Sequence, residues 1–268
     1  MEQNIEQGVT RGLAQQPIQQ RKTEFPFPTE IISLPSKGLI YPENHPLHTG
    51  KIEIKYMSAR EEDILTNQNF VKQGIVIDKL LQSLIITKFN YDDLLIGDKN
   101  AILIAARILA YGADYEFTYN NEPQTVDLSQ LPTVELNESI LKDKGINAFD
   151  FTLPHSGNVI TFKLLTTKDE KAIDAEVKGF NKINKNTSPL LSTRYKHQII
   201  AINGDDDIKS IREFVDNHFI TRDSSAFRMY VKSIEPTVKM TFKTINNGSE
   251  EEVAIPMEVQ FLWPDARV

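Results

Sequence analysis

Acidic clusters are the first place in this chain to look for chemistry. Glu61, Glu62 and Asp63 stand in a row, Asp169 and Glu170 form a second set, and Asp205, Asp206 and Asp207 a third. Two carboxylates facing each other across a cleft can act as general acid and base. Oxygen ligands at alternate positions build calcium loops. The local patterns favour a plainer use. Glu61 follows Ser58 by three residues and Asp169 follows Thr166 by three, which is capping-box spacing. Acids in a first helical turn also face the positive end of the helix dipole. Asn203-Gly204-Asp205-Asp206-Asp207 lacks the spaced ligands and distal glutamate of an EF-hand, and reads as a helix start. His45, His48, His155, His197 and His218 are scattered, with no helical His pair of the zinc-protease kind. His155 and Ser156 near Asp150 are neighbours in sequence, which is not triad geometry. There is no Gly-rich phosphate loop and no G-x-S-x-G. The chain has no cysteine, so disulfides and thiolate metal sites are excluded. No catalytic residue, cofactor or metal ligand is expected.

These acids sit inside a repeated grammar. Leu34-Pro35-Ser36-Lys37-Gly38 leads through Tyr41-Pro42 to an alternating run, Lys51 to Tyr56, with Ile52, Ile54 and Tyr56 on one face. A capped acidic helix from Ser58 to Leu65 follows. Later, Phe151-Thr152-Leu153-Pro154-His155-Ser156-Gly157 leads to Ile160-Thr161-Phe162, and Thr166 opens a second acidic helix with Ile173, Val177 and Phe180 on one face. Further on, Asp98 and Asp223 each read as an N-cap, and Ala101 matches Ala226, Leu109 matches Ile234, and Phe117 matches Phe242. Each half ends in a hairpin: Tyr115, Phe117 and Tyr119 alternate in the first, Val238 to Phe242 and Val253 to Trp263 in the second. Pro256 marks the last strand as an edge. The spacing predicts an α+β protein of two tandem, duplicated units, each a strand pair, capped helix, helices and β-hairpin. The boundaries are a flexible tail over 1–30, a first unit over 31–132, a linker over 133–147 and a second unit over 148–268.

Composition narrows the function classes. The chain has 268 residues, 25% charged and 40% hydrophobic, with a formal net charge of −7. Those are the proportions of a globular protein. An acidic chain without a basic block is poorly suited to nucleic acid, and its net charge gives no attraction to anionic membranes. No apolar run approaches the roughly 20 residues of a membrane span. The N-terminus has no apolar core of a secretory signal. The default is a cytoplasmic protein or part of an assembled particle.

Several of these motifs, in order, resemble a known family. They are Leu34-Pro35-Ser36-Lys37-Gly38 with Tyr41-Pro42, Met57-Ser58-Ala59-Arg60-Glu61-Glu62-Asp63-Ile64-Leu65, Ile96-Gly97-Asp98-Lys99 opening a helix that ends near Tyr111-Gly112, and Phe261-Leu262-Trp263-Pro264-Asp265. Together they are similar to the baseplate hub subunit and hub assembly chaperone family of T-even-type contractile-tailed phages. The resemblance implies a non-enzymatic role in building the central hub of the tail baseplate, with hub, tape-measure or other tail proteins as partners. It implies a place in the host cytoplasm during assembly, and leaves open residence in the virion tail. Many members carry a Cys-Pro-x-Cys pair in the first hairpin, suggestive of zinc. Here the stretch is Tyr119-Asn120-Asn121-Glu122-Pro123, so no metal is expected and a hydrogen-bonded turn must hold the hairpin.

The residues expected to touch partners are Leu34, Pro35, Lys37, Tyr41, Pro42 and His45, with Trp263, Pro264 and Asp265. Trp263 fits either the hairpin core or an aromatic anchor in an interface. The loop up to Gly50 occurs only in the first copy, so it is expected to serve recognition, and deleting Asn44 to Thr49 is expected to leave folding intact. Two alternatives stand beside assembly: a permanent structural subunit of the baseplate, and an envelope-degrading hydrolase.

Overall fold

The structure, a computed structural model, describes residues 27–183, 188–246, 249–257 and 259–262. It is α+β, built from two copies of one unit. In the first copy β1 (Thr29–Ser33) pairs antiparallel with β2 (Lys51–Lys55), with Ile32 opposite Ile52. Ile52 and Ile54 are buried, as strand alternation requires. Thr29 and Glu30 therefore belong to the fold and not to the tail; residues 1–26 of that tail lie outside the described residues. Helices α1 (Ala59–Leu65), α2 (Gln68–Gln73) and α3 (Val76–Leu84) follow, with Leu80, Leu81 and Leu84 forming the buried stripe of α3. Helix α4 (Ile96–Tyr111) is the long central helix, ended by Gly112. The buried Arg107 donates to the carbonyls of Gly112 and Asp114 beyond its end. Strands β3 (Asp114–Tyr119) and β4 (Glu122–Asp127) make the first hairpin. Asn120 and Asn121, with φ of 50° and 65°, form its two-residue turn. Positive φ at both positions matches strand twist, and asparagine tolerates it.

The connection is fastened rather than loose. Within it, β5 (Thr133–Val134) pairs with β9 (Thr237–Val238) of the second copy. Leu136 N–H donates to the Pro35 carbonyl, and Gly145 N–H to that of Leu39.

The second copy repeats the plan. Strands β6 (Phe149–Thr152), β7 (Val159–Phe162) and β8 (Ile199–Ile202) form an antiparallel sheet in the order β6-β7-β8. Helices α5 (Thr167–Ile183) and α6 (Leu190–Gln198) lie between β7 and β8 in sequence. Helix α7 (Ile208–Asn217) is matched in the first copy only by a single 3-10 turn, Tyr91–Asp93, and α8 (Thr221–Ile234) matches α4. Strands β10 (Thr241–Asn246) and β11 (Ser249–Ala254) make the second hairpin. The long final strand expected to reach Trp263 does not form. β11 stops at Ala254, before Pro256, whose ring nitrogen cannot donate to a ladder. The chain then turns into a short helix, α9 (Val259–Leu262), and buries Phe261 and Leu262.

Equivalent contacts recur in both copies. Leu34 N–H donates to the Gly50 carbonyl at 2.8 Å, and Leu153 N–H to that of Asn158 at 2.8 Å. Ile54 bridges to Ile85 just after α3, and Phe162 pairs with Ile199 just after α6. The matched residues Phe117 and Phe242 meet edge to face, with ring centroids 5.0 Å apart. The copies share one hydrophobic core. Across their seam, Ile96 N–H donates to the Leu165 carbonyl and Thr167 N–H to that of Leu94. Lys99 bridges Asp78 of the first copy and Glu170 of the second, at 2.9 Å each.

Gly97 is the tightest point of this seam. A Cβ there would lie 1.6 Å from the Pro236 carbonyl oxygen, whereas one on Gly179 of α5 would meet nothing within 4 Å. Gly97→Ala is expected to lower unfolding free energy by about 3 kcal/mol or more in urea titration. Gly179→Ala is expected to be neutral or to stabilise by about 0.5–1 kcal/mol, as alanine does inside a helix.

Candidate functional site

The acids singled out in the sequence converge on structural bonds. Asp98 is the third residue of α4 and has no solvent exposure. It was expected to cap that helix; the position before the helix is Leu95, whose side chain makes no capping bond. The Asp98 carboxylate instead accepts from a turn far away in sequence. Ser36 N–H donates to Oδ1 at 3.0 Å, and Ser36 Oγ and Tyr41 Oη donate to Oδ2 at 2.7 and 2.8 Å. Tyr41 Oη in turn accepts from Leu95 N–H at 3.1 Å. Burial pushes the Asp98 carboxyl up, and the Ser36 and Tyr41 bonds pull it back. Burial and the neighbouring Asp98 raise the Tyr41 phenol.

Asp223 occupies the same place in α8, again without exposure and again not the cap, since the N-cap residue is Ile220. It accepts from the N–H groups of His155 and Ser156 at 2.9 and 3.1 Å. Burial raises its carboxyl, but these bonds win and hold it below its ordinary value. So His155 and Ser156 serve a buried acid through their backbones, and are no part of a triad. Asp150 bonds Thr161 and Lys142 instead.

The two capping acids also match. Glu61 accepts from Ser58 N–H and Oγ, Lys55 Nζ and Ser83 Oγ, at 3.0, 2.6, 2.7 and 2.7 Å. Asp169 accepts from Thr166 N–H and Oγ1 and Lys163 Nζ, at 3.0, 3.0 and 2.6 Å. The carboxylate reaches back as the capping box requires, while the hydroxyls of both cap residues donate to that same carboxylate. The Lys-Ser-Glu and Lys-Thr-Asp sets have identical spacing, and the lysines, lying before the cap, fall outside the capping-box pattern. Asp207 accepts from Ser210 N–H at the start of α7, which accounts for the third acidic run.

The residues expected to meet partners divide by burial. Leu34, Pro35 and Tyr41 are buried, so they act through the fold and not by direct contact. Lys37 and Pro42 are exposed, with Lys37 paired to Glu135. His45 is partly buried, stacked on Tyr41 at 5.0 Å, and accepts from Leu47 N–H through Nδ1. Burial lowers its pKa, against the pull of Asp93. Trp263, Pro264 and Asp265 lie outside the described residues. The first-copy loop was expected to be dispensable for folding. It contributes Leu47, with 0% exposure, to the core. It closes on Gly38, where a Cβ would lie 2.2 Å from the His48 carbonyl oxygen. The loop is therefore structural, at least through Leu47.

A cleft of about 430 Å³ lies on the seam, lined by Gln73, Asp78, Lys99, Glu170, Asp174 and Lys178 among others. Two of its three acids, Asp78 and Glu170, are bound by Lys99, and Tyr91 Oη also donates to Asp78 at 2.9 Å. Burial lowers the Lys99 pKa, but these two acids outweigh it and raise it above the usual value. Among the described residues, no three His, Asp or Glu side chains gather as metal ligands, and no helix is long and apolar enough to cross a membrane. No family model, curated protein or solved structure matches the chain.

Three outcomes test this account. Asp98→Asn replaces one acceptor oxygen with a donor and should cost about 3 kcal/mol by denaturant unfolding. Deleting Asn44 to Thr49 should destabilise by at least the roughly 2–5 kcal/mol of a lost core leucine, and Leu47→Ala alone should fall in that range. Glu61 supplies a pH dependence. Burial raises its carboxyl, but Lys55, Ser58 and Ser83 pull it down to about 2, from an ordinary value of 4.5. A depressed carboxyl stabilises above its unfolded pKa and loses that stabilisation as pH falls through its folded pKa. Stability should therefore decline between pH 4.5 and about 2. Glu61→Gln should cost on the order of 2 kcal/mol at neutral pH and make that decline shallower.

Proposed function

We propose that this chain is a non-enzymatic protein that binds other tail proteins while the central hub of a contractile phage tail baseplate is built. The observation that carries this is the contact between the motifs on which the family resemblance rests. Ser36 and Tyr41 belong to one motif and Asp98 to another, yet they form one buried cluster. Motifs that touch one another behave as a single signature rather than as scattered matches. The use of the acids adds support: Glu61, Asp98, Asp169 and Asp223 are all engaged in holding the fold. On this reading the partners are hub, tape-measure or neighbouring baseplate proteins, and the chain works in the host cytoplasm during assembly.

A second reading, a permanent structural subunit of the tail, is favoured by the hairpins. β4 and β11 each pair on one side only and are largely exposed, so each offers a strand edge to a neighbour. A hydrolase needs two carboxylates free to exchange protons across a cleft. The seam cleft gives that reading little support, because Lys99 holds two of its three acids, Asp78 and Glu170.

Infection with a phage lacking this gene is the test. Tails without a completed hub are expected, together with co-purification of hub components with the chain during wild-type infection. Normal tails would overturn the proposal. Mass spectrometry of purified wild-type particles then separates the two readings: stoichiometric amounts mean a resident subunit, and absence means a chaperone that leaves.

A further inference from the structure

Four short 3-10 turns occur among the described residues, Pro46–Thr49, Tyr91–Asp93, Leu128–Gln130 and Glu138–Ile140. Each is capped by the side chain of the residue before it, which accepts from the N–H two residues on. Asn90, Asp127 and Asn137 do this with a side-chain oxygen, the usual chemistry of a turn start. His45 does it with Nδ1, accepting from Leu47 N–H at 3.2 Å. An amide oxygen accepts at every pH, and a carboxylate keeps accepting until it is protonated far below neutrality. An imidazole nitrogen stops accepting once it is protonated, and that happens close to neutral pH.

The surroundings of the ring make that change consequential. A neutral ring that accepts at Nδ1 carries its proton on Nε2. The Nε2 atom is buried without a hydrogen-bond partner. Asp93 Oδ2 lies 3.8 Å from it, beyond bonding reach. Tyr41 is stacked on the ring, and Phe89 meets it edge to face with centroids 5.8 Å apart. The charged and titratable groups that face it are few. Tyr41 is a neutral phenol with a raised pKa. Burial opposes protonation of His45 most, Asp93 favours it and His48 opposes it, and the ring's pKa lies below the ordinary 6.5. The cap holds the core end of the loop. Leu47 has 0% exposure, its carbonyl accepts from Gly50 N–H at 3.0 Å, and the Gly50 carbonyl accepts from Leu34 N–H.

We propose that His45 is a pH switch on the first-copy loop, closing it when neutral and releasing it when protonated. A proton added at Nδ1 turns the acceptor into a donor, so two donors face each other and the Leu47 N–H loses its cap. The imidazolium then turns toward Asp93, whose Oδ2 is within a small movement of Nε2. The neutral ring is the form the closed loop favours. Its stabilisation is therefore fully present above pH 6.5 and is lost as pH falls from 6.5 through the lower folded pKa. In the second copy the corresponding turn holds its acid through the backbone N–H of His155, which protonation of that ring leaves in place.

The test is imidazole NMR and amide hydrogen exchange on the full chain, from about pH 8 to about pH 5. His45 is expected to titrate below 6.5. Leu47 amide protection, corrected for the intrinsic pH dependence of exchange, should fall by up to about tenfold per pH unit below 6.5 until His45 has titrated, while α3 keeps its protection. His45→Asn retains the cap in the form that Asn90 uses, so it should fold and should abolish the fall. Asp93→Asn should move the His45 titration to lower pH. His48→Gln should leave the fall in place. Leu47 protection that ignores the protonation of His45 overturns the proposal. So does a fall that survives in His45→Asn, that His48→Gln removes, or that α3 shares equally. An unmoved titration in Asp93→Asn overturns the turn of the ring toward Asp93.

Discussion

A carboxylate taken out of water has to be met by donors, or the fold that buries it fails. Asp98 is met three times, twice by Ser36 and once by Tyr41. Those bonds fix the turn after β1 against the first turn of α4. The turn leads into the loop that brings Leu47 into the core and returns the chain at Gly50 to pair with Leu34. In the same turn, next to Asp98, Gly97 lets the Pro236 carbonyl approach from the second copy. One buried acid therefore ties together the first sheet, the central helix and the approach to the seam.

The second copy solves the same problem with fewer groups. Between the paired residues Leu153 and Asn158 there is only the short turn 154–157, with no residue in the role of Tyr41. There the N–H groups of His155 and Ser156, with the Ser156 side chain, hold Asp223 below its ordinary pKa against burial, while Asp98 is pushed above its own. The longer first-copy turn surrounds its acid with more protein, and desolvation dominates. The second copy spends its extra length elsewhere, on α7. Matching acids, matching Lys-Ser/Thr-acid sets and matching strand closures amount to a duplication whose copies have diverged mainly in their connections.

Much of this was legible in sequence where the signal is local. The alternation of Ile52 and Ile54, the stripe of Leu80, Leu81 and Leu84, the Asn120-Asn121 turn and the spacing of Glu61 and Asp169 each involve neighbours within a few residues. The partners of Asp98 are far away in sequence, and a lone acid at a helix start reads as a cap. The final strand was overextended because apolar alternation continued past Pro256, where the ladder stops. Of the candidate contact residues, burial removed Leu34, Pro35 and Tyr41 from any surface role. Burial depends on what packs on top, which alternation along one segment does not report. The exposure of Phe180 was hidden for the same reason, since it completes a helical stripe whether or not anything covers it.

The two clamped turns hold the frame of the fold in place. Residue-resolved amide hydrogen exchange on the native chain tests this most directly. The N–H groups of Ser36, His155 and Ser156 lie in turns, yet each donates to a buried carboxylate. If the acids clamp these turns as described, the three amides will exchange as slowly as the core of α4, through global unfolding alone. Exchange at the rates of open surface turns, while α4 stays protected, would contradict the account.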